Sequence, residues 1–204
     1  MVTQKEWEEA QAWEKEWHSS CINSINEELK QLVYARKMGL KQTHNNKTPY
    51  IFKLENKSIL DIGGGPYSLL LKCEDFSKAV VVDPCDYPEW VYMRYDSANI
   101  QHVVGGGEDI LEESLGVFDE AWFYNVLQHT KEPARIVGNV LESAKIVRMF
   151  EWIATGVAKG HPQDLNKKDL DKWLGGIGKV ENLNEGGCVG LCYYGVFKGN
   201  HYEK

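Results

Sequence analysis

The sequence lacks the features that mark nucleic-acid-binding and membrane proteins. Its 204 residues include 23 Lys and Arg against 30 Asp and Glu, which gives a formal net charge of −7. An acidic chain without a stripe of basic residues is a poor partner for phosphate backbones. Its apolar runs are also far shorter than the roughly 20 residues that a membrane-spanning helix needs. We therefore expect neither nucleic acid nor a membrane as a binding partner.

The five cysteines have neither the density nor the spacing of a disulfide framework. We also expect no secretory signal, because the opening segment MVTQKEWEEA is polar and acidic. We expect reduced thiols and a cytoplasmic location. Cys188 and Cys192 lie four residues apart in a predicted strand, so we expect buried thiols on one face of it.

Length and composition fit one globular domain. With 43% hydrophobic and 26% charged residues, the chain has an ordinary soluble composition. A chain of this length buries a stable core without covalent cross-links. We predict a single domain over residues 1–204, with a helical cap at 1–40 and an α/β core at 55–204.

An aromatic stripe marks the first helix of the cap. Trp7, Ala10, Trp13 and Trp17 recur at steps of three and four residues, which is typical of an amphipathic helix over 3–18. These tryptophans either pack the helix onto the sheet, the commoner use, or form a lid over a ligand.

A second helix is expected to begin with a capping box of Ser24 and Glu27 and to end at Gly39. Glu28 and Gln31 of this helix either face the ligand cleft or are solvated, and we favour the solvated interpretation. Its apolar side consists of Ile25, Leu29, Leu32 and Val33.

Short β-branched runs separated by helical stretches follow from Ser58, which is typical of parallel strands joined by helices. The glycine pair Gly186 and Gly187 is a hairpin signal between the last two runs. We predict an α/β fold: a doubly wound, mostly parallel seven-stranded Rossmann-like sheet with a C-terminal antiparallel hairpin and an N-terminal two-helix cap. The predicted strands are 59–62, 79–82, 100–104, 121–124, 146–152, 179–183 and 188–197, and the predicted helices are 68–73, 88–98, 110–115, 133–144 and 167–174.

A buried strand runs directly into a glycine cluster of Gly63, Gly64 and Gly65. Glycines there allow a tight turn and let a ligand approach the backbone at the carboxyl end of the strand. The next predicted strand ends in Asp83, whose carboxylate can accept hydrogen bonds from both hydroxyls of a ribose. Together these residues predict a site for a nucleoside cofactor.

The spacing around this cluster bears on the identity of the cofactor. The G-x-G-x-x-G pattern of dinucleotide-binding folds is not met, because Ser68 takes the place of the last glycine. Asp61 lies two residues before the first glycine, where a carboxylate would repel a pyrophosphate and attract a cationic amino acid group. These features favour S-adenosylmethionine and argue against an NAD-dependent oxidoreductase.

Residues 58–152 resemble the class I S-adenosylmethionine-dependent methyltransferases, specifically the broad group that acts on small molecules. The family's D-x-G-x-G motif matches Asp61, Gly63 and Gly65, and its ribose-binding acid matches Asp83. The segment GGGEDI at 105–110 and the segment NVLQHTKEP at 125–133 resemble two further motifs of the family. Tyr67 in the glycine loop and the missing P-G-G before the fifth strand depart from the pattern.

The resemblance implies that the cofactor is S-adenosyl-L-methionine and that its product is S-adenosyl-L-homocysteine. It also implies the residues that bind the cofactor, which are Asp61, Gly63, Gly64, Gly65, Asp83, Pro84, Glu108, Asp109 and Asn125.

Methyl transfer to a hydroxyl requires alignment of the acceptor and removal of its proton. His129 is the candidate base, because histidine titrates near neutrality and the residue follows the fourth strand. A loop-tethering histidine is the structural alternative. Glu151 and His161 are its predicted catalytic partners. Together the three residues could bind substrate hydroxyls or a divalent ion, but no close ligand spacing links them, so no metal is predicted.

The expected function is S-adenosylmethionine-dependent methylation of a small polar acceptor, an oxygen nucleophile such as a sugar or another hydroxylated metabolite. The sequence NVLQ at 125–128 stands where amino-methyltransferases carry N-P-P-Y. Two alternatives remain: a catalytically silent, cofactor-binding regulatory module, and a protein or RNA methyltransferase, which would need a basic groove beside the cleft. A homodimer is left open.

Overall fold

The computed structural model describes residues 2–43, 52–111 and 115–202. No helix within these ranges is long and apolar enough to cross a membrane. Seven strands form one sheet in the described chain: β1 (Phe52–Ile62), β2 (Cys73–Asp83), β3 (Gln101–Val104), β4 (Phe118–Tyr124), β5 (Ala144–Trp152), β6 (Lys179–Glu185) and β7 (Cys188–Lys198).

The strand order is β3-β2-β1-β4-β5-β7-β6. The first five strands are parallel, whereas β7 is antiparallel to both β5 and β6. The turn between β6 and β7 is made by Gly186 and Gly187, which both have positive φ. Cys188 and Cys192 are buried, as predicted. The predicted fold class is confirmed.

β1 and β2 begin earlier than predicted. Phe52 and Leu54 alternate inward at the start of β1, but Glu55 and Asn56 then adopt positive φ and shift the register against β2. This bulge breaks the period-two pattern on which the sequence prediction depends, so the early half of β1 is not visible as a strand.

Helices cover both faces of the sheet. Side chains of the second and third helices belong to one buried core, and those of the fourth and fifth belong to the core on the opposite face. The described helices are α1 (Gln4–His18), α2 (Cys21–Lys37), α3 (Glu89–Ser97), α4 (Pro133–Ser143) and α5 (Lys167–Leu174).

α2 begins earlier than its predicted capping box. Ser20 is the N-cap residue, so Ser24 lies inside the helix and the Ser24–Glu27 capping box is wrong. Gly39 has a φ of 76° and ends the helix, as predicted. Ile25 and Leu29, expected on the buried side, are exposed because only the second half of α2 packs on the sheet.

The predicted helix at 68–73 is absent. The connection from β1 to β2 contains only two short 3₁₀ turns, Gly65–Tyr67 and Leu69–Lys72. A parallel connection through an α-helix needs about a dozen or more residues, and this one is too short. The second half of α2 fills the space instead, because Val33 and Tyr34 lie in the same buried cluster as Leu69.

The predicted helix at 110–115 falls partly outside the described residues. Ile110 and Leu111 lie in a turn, and residues 112–114 are not described. The predicted helices at 88–98, 133–144 and 167–174 correspond to α3, α4 and α5.

Candidate functional site

A cavity of about 630 Å³ lies at the carboxyl ends of β1, β2 and β4. This volume is within the range of small-molecule sites, about 300–1,000 Å³. Loops that follow the strands form one wall, whereas α1, α2 and the turn between β6 and β7 form the other. The cavity therefore lies between the predicted cap and the sheet.

The glycine loop lines the floor of the cavity, and its three glycines serve two different purposes. A Cβ atom on Gly63 would lie 2.0 Å from Cγ2 of Val126, and one on Gly64 would lie 2.7 Å from Oδ2 of Asp61. On Gly65, by contrast, a Cβ would meet nothing closer than the Tyr87 hydroxyl at 3.8 Å. Gly63 and Gly64 thus permit close packing of the loop, and Gly65 leaves open space on its cavity side.

Asp83 lines the cavity at the end of β2 and is tied to its surroundings by three hydrogen bonds. Oδ2 accepts from the N–H of Gly65 at 2.9 Å, while Oδ1 accepts from the N–H of Cys85 at 2.9 Å and the hydroxyl of Tyr87 at 3.1 Å. Burial raises the pKa of Asp83 against the lowering effect of these donors. A carboxylate offers about four acceptor sites, so one site on Oδ2 remains for a ligand hydroxyl.

Asp61 does not line the cavity, although the sequence predicts that it binds the cofactor. Its side chain is fully buried beneath the glycine loop, where Oδ2 accepts hydrogen bonds of 2.5 Å from Ser68 and from Tyr124. Burial raises the pKa of Asp61 to about 7. The carboxyl group therefore holds the loop on β4, and any effect on a ligand is indirect.

The remaining predicted cofactor residues divide into two groups. Pro84, Glu108 and Asn125 line the cavity. Asp109 does not, because it is more than half exposed and forms an ion pair with Arg135 at 3.1 Å.

Asn125 follows β4 in the left-handed conformation, with φ 59°, and asparagine tolerates that region better than most residues.

His129 lines the cavity on the loop after β4, and α1 contributes its neighbour. Nδ1 donates a hydrogen bond to the carbonyl oxygen of Gly160 at 2.7 Å and lies 3.0 Å from Oε1 of Glu14. Burial alone would lower the pKa of His129, but the Glu14 carboxylate outweighs burial and the pKa is raised. The predicted loop-tethering role and an active role are thus both compatible with its contacts.

The two predicted partners of His129 differ in position. His161 lines the cavity, and its ring meets the ring of His129 edge to face with centroids 4.7 Å apart. Glu151 is fully buried outside the cavity lining, where its carboxylate accepts hydrogen bonds from the N–H groups of Val126 and Leu127. The geometry makes Glu151 an anchor of this loop and gives it no direct contact with the cavity.

Burial raises the pKa of Glu151 to about 7, against the lowering effect of the two backbone donors.

The tryptophan stripe of α1 faces the cavity. Trp7, Trp13 and Trp17 all line it, and the Trp13 and Trp17 rings stack with centroids 5.2 Å apart. Gln31, interpreted as solvated, is buried against the glycine loop and donates to the carbonyl oxygen of Tyr67 at 2.5 Å. The solvated interpretation of Gln31 is wrong.

Glu28, the other residue interpreted as solvated, forms an ion pair with Lys72 at 3.3 Å and lies 3.8 Å from Arg94.

Gln11, Glu14 and His18 of α1 were not predicted as site residues from the sequence. Trp7, Gln11, Glu14 and His18 all line the cavity. Their spacing of four, three and four residues is that of one helical face, and this period was a usable signal.

The chain matches no protein-family model and no curated protein sequence. Solved structures do match over most of the chain. A Burkholderia thailandensis 1,6-didemethyltoxoflavin-N1-methyltransferase, with 1,6-didemethyltoxoflavin and S-adenosylhomocysteine bound, has a TM-score of 0.65 at 10% identity, covering 98% of this chain and 91% of its own. The plantazolicin methyltransferase BamL, in complex with a triazolic desmethylPZN analog and SAH, has a TM-score of 0.57 at 12% identity, covering 96% and 97%.

An O-methyltransferase family protein from Burkholderia thailandensis has a TM-score of 0.57 at 10% identity, and the match covers 88% of this chain but 60% of that one. The chain has the class I methyltransferase fold. The predicted resemblance is therefore confirmed at the level of the fold.

Proposed function

We propose that this protein is an S-adenosyl-L-methionine-dependent methyltransferase that acts on a hydroxyl oxygen of a small polar acceptor, such as a sugar or another hydroxylated metabolite. The observation that carries the proposal is the position of Gly65 and Asp83, joined side by side in a cavity at the carboxyl ends of parallel strands. Open α/β sheets bind their ligands at this edge. Two of the structural neighbours carry S-adenosylhomocysteine in the same fold.

The residues around the glycine loop fit this cofactor. The open side of Gly65 admits a ligand close to the backbone, and the remaining acceptor site on Oδ2 of Asp83 suits a ribose hydroxyl. Tyr87 occupies the other oxygen, Oδ1, and rotation of its hydroxyl would free a second site. Pro84, Glu108 and Asn125 supply further cavity-lining contacts.

When bound, S-adenosylmethionine supplies a methyl carbon on a sulfonium: the acceptor oxygen forms a bond to that carbon, the carbon–sulfur bond breaks, and its electron pair stays on the sulfur of S-adenosylhomocysteine. The protein must align the acceptor and remove its hydroxyl proton. His129 is the residue proposed for the proton, with His161 beside it in the cavity. Glu151 acts only through the loop that holds His129.

The cavity wall opposite the sheet supports a small and polar acceptor. α1 and α2 cover the cavity, and Glu27 and Lys30 of α2 add charged groups to its lining. These two residues form an ion pair of 3.2 Å, and Nδ2 of Asn125 lies 3.4 Å from Oε1 of Glu27. A covered site that contains both positively and negatively charged side chains suits a hydroxylated metabolite better than a protein or RNA chain.

The proposal is tested in two stages with the full chain. Calorimetric titration with S-adenosylmethionine, S-adenosylhomocysteine and NAD⁺ should give binding of the first two only. A panel of sugars and other hydroxylated metabolites, with a matched panel of amines, should then yield S-adenosylhomocysteine from hydroxylated compounds. Absence of binding by folded protein would refute the methyltransferase assignment, and turnover confined to amines would refute the oxygen acceptor.

A further inference from the structure

Three metal-ligating side chains meet at the α1 side of the cavity. One donor atom from each of Glu14, His129 and His161 lies within 4.8 Å of the other two. The three residues come from α1, from the loop after β4 and from the loop after β5. All three line the cavity and are half-buried.

Histidine nitrogens surround the carboxylate of Glu14. Nδ1 of His129 is 3.0 Å from Oε1 of Glu14, an ion-pair distance, while its N–H is directed to the carbonyl oxygen of Gly160 at 2.7 Å. Apart from this ion-pair contact, Oε1 is buried without a hydrogen-bond donor among the described residues. Nε2 of His18 is also near this carboxylate, 3.6 Å from Oε2.

The surrounding packing fixes the three segments relative to one another. Gly160 has a φ of 86°, and a Cβ there would lie 2.4 Å from Cε3 of Trp13, so the loop after β5 sits directly on the Trp13 ring. The same ring meets His161 edge to face at 6.4 Å. A backbone carbonyl bonded to a histidine N–H, as Gly160 is to Nδ1 of His129, is the usual way to orient a metal-bound imidazole. Nε2 of His129 is then the nitrogen that would bind an ion, and the Gln128 amide nitrogen, now 3.3 Å from it, would have to turn away.

From this cluster we propose that Glu14, His129 and His161 form a binding site for a divalent first-row transition metal ion, of which Zn²⁺ is the reference. Two imidazoles and one carboxylate bind such ions in preference to magnesium or calcium, which favour oxygen ligands. Ligands of a tetrahedral zinc ion stand roughly 3.3 Å apart when its bonds are about 2.0–2.1 Å long. The donor atoms, which now lie within 4.8 Å of one another, would have to approach to about this separation by side-chain rotation when an ion binds. The sequence prediction of no metal was based on spacing along the chain, which cannot show that side chains from three separate segments lie close together in the fold.

Three protein ligands leave a coordination position open toward the cavity. Its use by the methyl acceptor rests on the proposed function. An acceptor hydroxyl in that position would have its pKa lowered by the ion and would release its proton to water. Its oxygen lone pair would then form the bond to the methyl carbon. In the metal-loaded protein His129 would hold the ion and the ion would lower the pKa of the hydroxyl, whereas in the metal-free protein the His129 imidazole itself would accept the proton.

Metal binding is measured on the full chain after treatment with a chelator and its removal. Titration with Zn²⁺ should show one site, and Co²⁺ should give the visible absorption bands of a low-coordinate site. Glu14→Gln, His129→Gln and His161→Gln should each weaken Zn²⁺ binding by at least tenfold. Two matched controls, Glu16→Gln on the exposed side of α1 and His201→Gln at the surface, should leave it unchanged.

Circular dichroism of every variant establishes that it is folded. Failure of the folded wild-type protein to bind either ion overturns the metal proposal, as does binding that none of the three variants weakens. A separate titration with S-adenosylhomocysteine in the presence of chelator tests the proposed function independently. Metal binding without S-adenosylhomocysteine binding would refute the methyltransferase and leave the metal site.

Discussion

The backbone N–H of Gly65 donates a 2.9 Å hydrogen bond to Oδ2 of Asp83. This contact joins the glycine loop after β1 to the end of β2, so the two predicted halves of the cofactor site form one unit before any ligand binds. A rigid, preformed site loses less conformational entropy on binding than a mobile one. Changes on either side of this bond should therefore affect ligand affinity more than stability.

Asp83→Asn should weaken S-adenosylhomocysteine binding by about 1–3 kcal/mol, or roughly 5- to 150-fold. The amide replaces one acceptor oxygen with a donor that faces either the Gly65 or the Cys85 N–H. Calorimetric titration measures the change. Asp86→Asn is the matched control, since Asp86 is exposed, lies on the same loop and does not line the cavity. Equal affinities for Asp83→Asn and wild type would refute the role of Asp83.

Gly65→Ala should reduce cofactor affinity well beyond its cost in stability. A non-glycine residue in the left-handed region costs roughly 1–2 kcal/mol, and Gly65 has a φ of 60°. Gly175 has a φ of 62° with open space around it, and it lies outside the cavity lining. Gly175→Ala should therefore lose similar stability in urea unfolding while its S-adenosylhomocysteine affinity stays at the wild-type value. Loss of affinity in both variants would show that strain, and not the filled space, is responsible.

The buried carboxyl group of Asp61 should make stability fall as pH rises. Burial raises its pKa to about 7, above the ordinary value of 3.8, so the folded state binds the proton more tightly than the unfolded state. Its contribution is fully present below about pH 4 and is lost as the pH rises toward and past 7. Relative to wild type, Asp61→Asn should gain roughly 1–4 kcal/mol of unfolding free energy between pH 4 and 8.

Urea unfolding of wild type and Asp61→Asn at a series of pH values measures this difference in unfolding free energy. The contributions of the other titrating groups are similar in both proteins and largely cancel. The exposed Asp96→Asn on α3 serves as the control and should show no such gain. A flat difference for Asp61→Asn would mean that Asp61 ionises normally in the folded protein.

Arg148→Met should destabilise the fold by about 3–5 kcal/mol, because it leaves a buried carboxylate without its main partner. Glu120 is 1% exposed and accepts hydrogen bonds from Nε and Nη2 of Arg148 at 2.6 and 3.0 Å. Nη1 of the same guanidinium also donates to the carbonyl oxygen of Met38 at 2.7 Å, just beyond α2. Urea unfolding measures the loss.

Lys57→Met removes a second partner of Glu120, at 3.1 Å, whose side chain is 36% exposed. Its removal should cost less than about 1 kcal/mol, as is usual for solvent-screened pairs. Similar losses in Lys57→Met and Arg148→Met would contradict the assignment of Arg148 as the main partner.

The sheet was predictable because buried parallel strands leave continuous apolar runs, and α3, α4 and α5 retain clear helical signals. Contacts between the side chains of distant segments could not be predicted from the sequence. Asp61 and Glu151 look like active-site acids in the sequence, yet the structure buries both, the first against Ser68 and Tyr124 and the second on backbone N–H groups. Glu14 contacts His129 only because α1 crosses the end of β4. Such contacts depend on how elements pack and leave no local pattern.

The absent helix between β1 and β2 affects the order in which the protein can fold. The sheet face beside that connection is covered by α2, whose Lys37 also forms an ion pair with Glu181 of β6 at 2.7 Å. Leu183, Cys188 and Cys192 of β6 and β7 lie in the same buried cluster as Val33 and Tyr34 of α2. The apolar side of α2 is therefore covered completely only when segments far apart in the sequence have come together, and contacts of this kind slow folding.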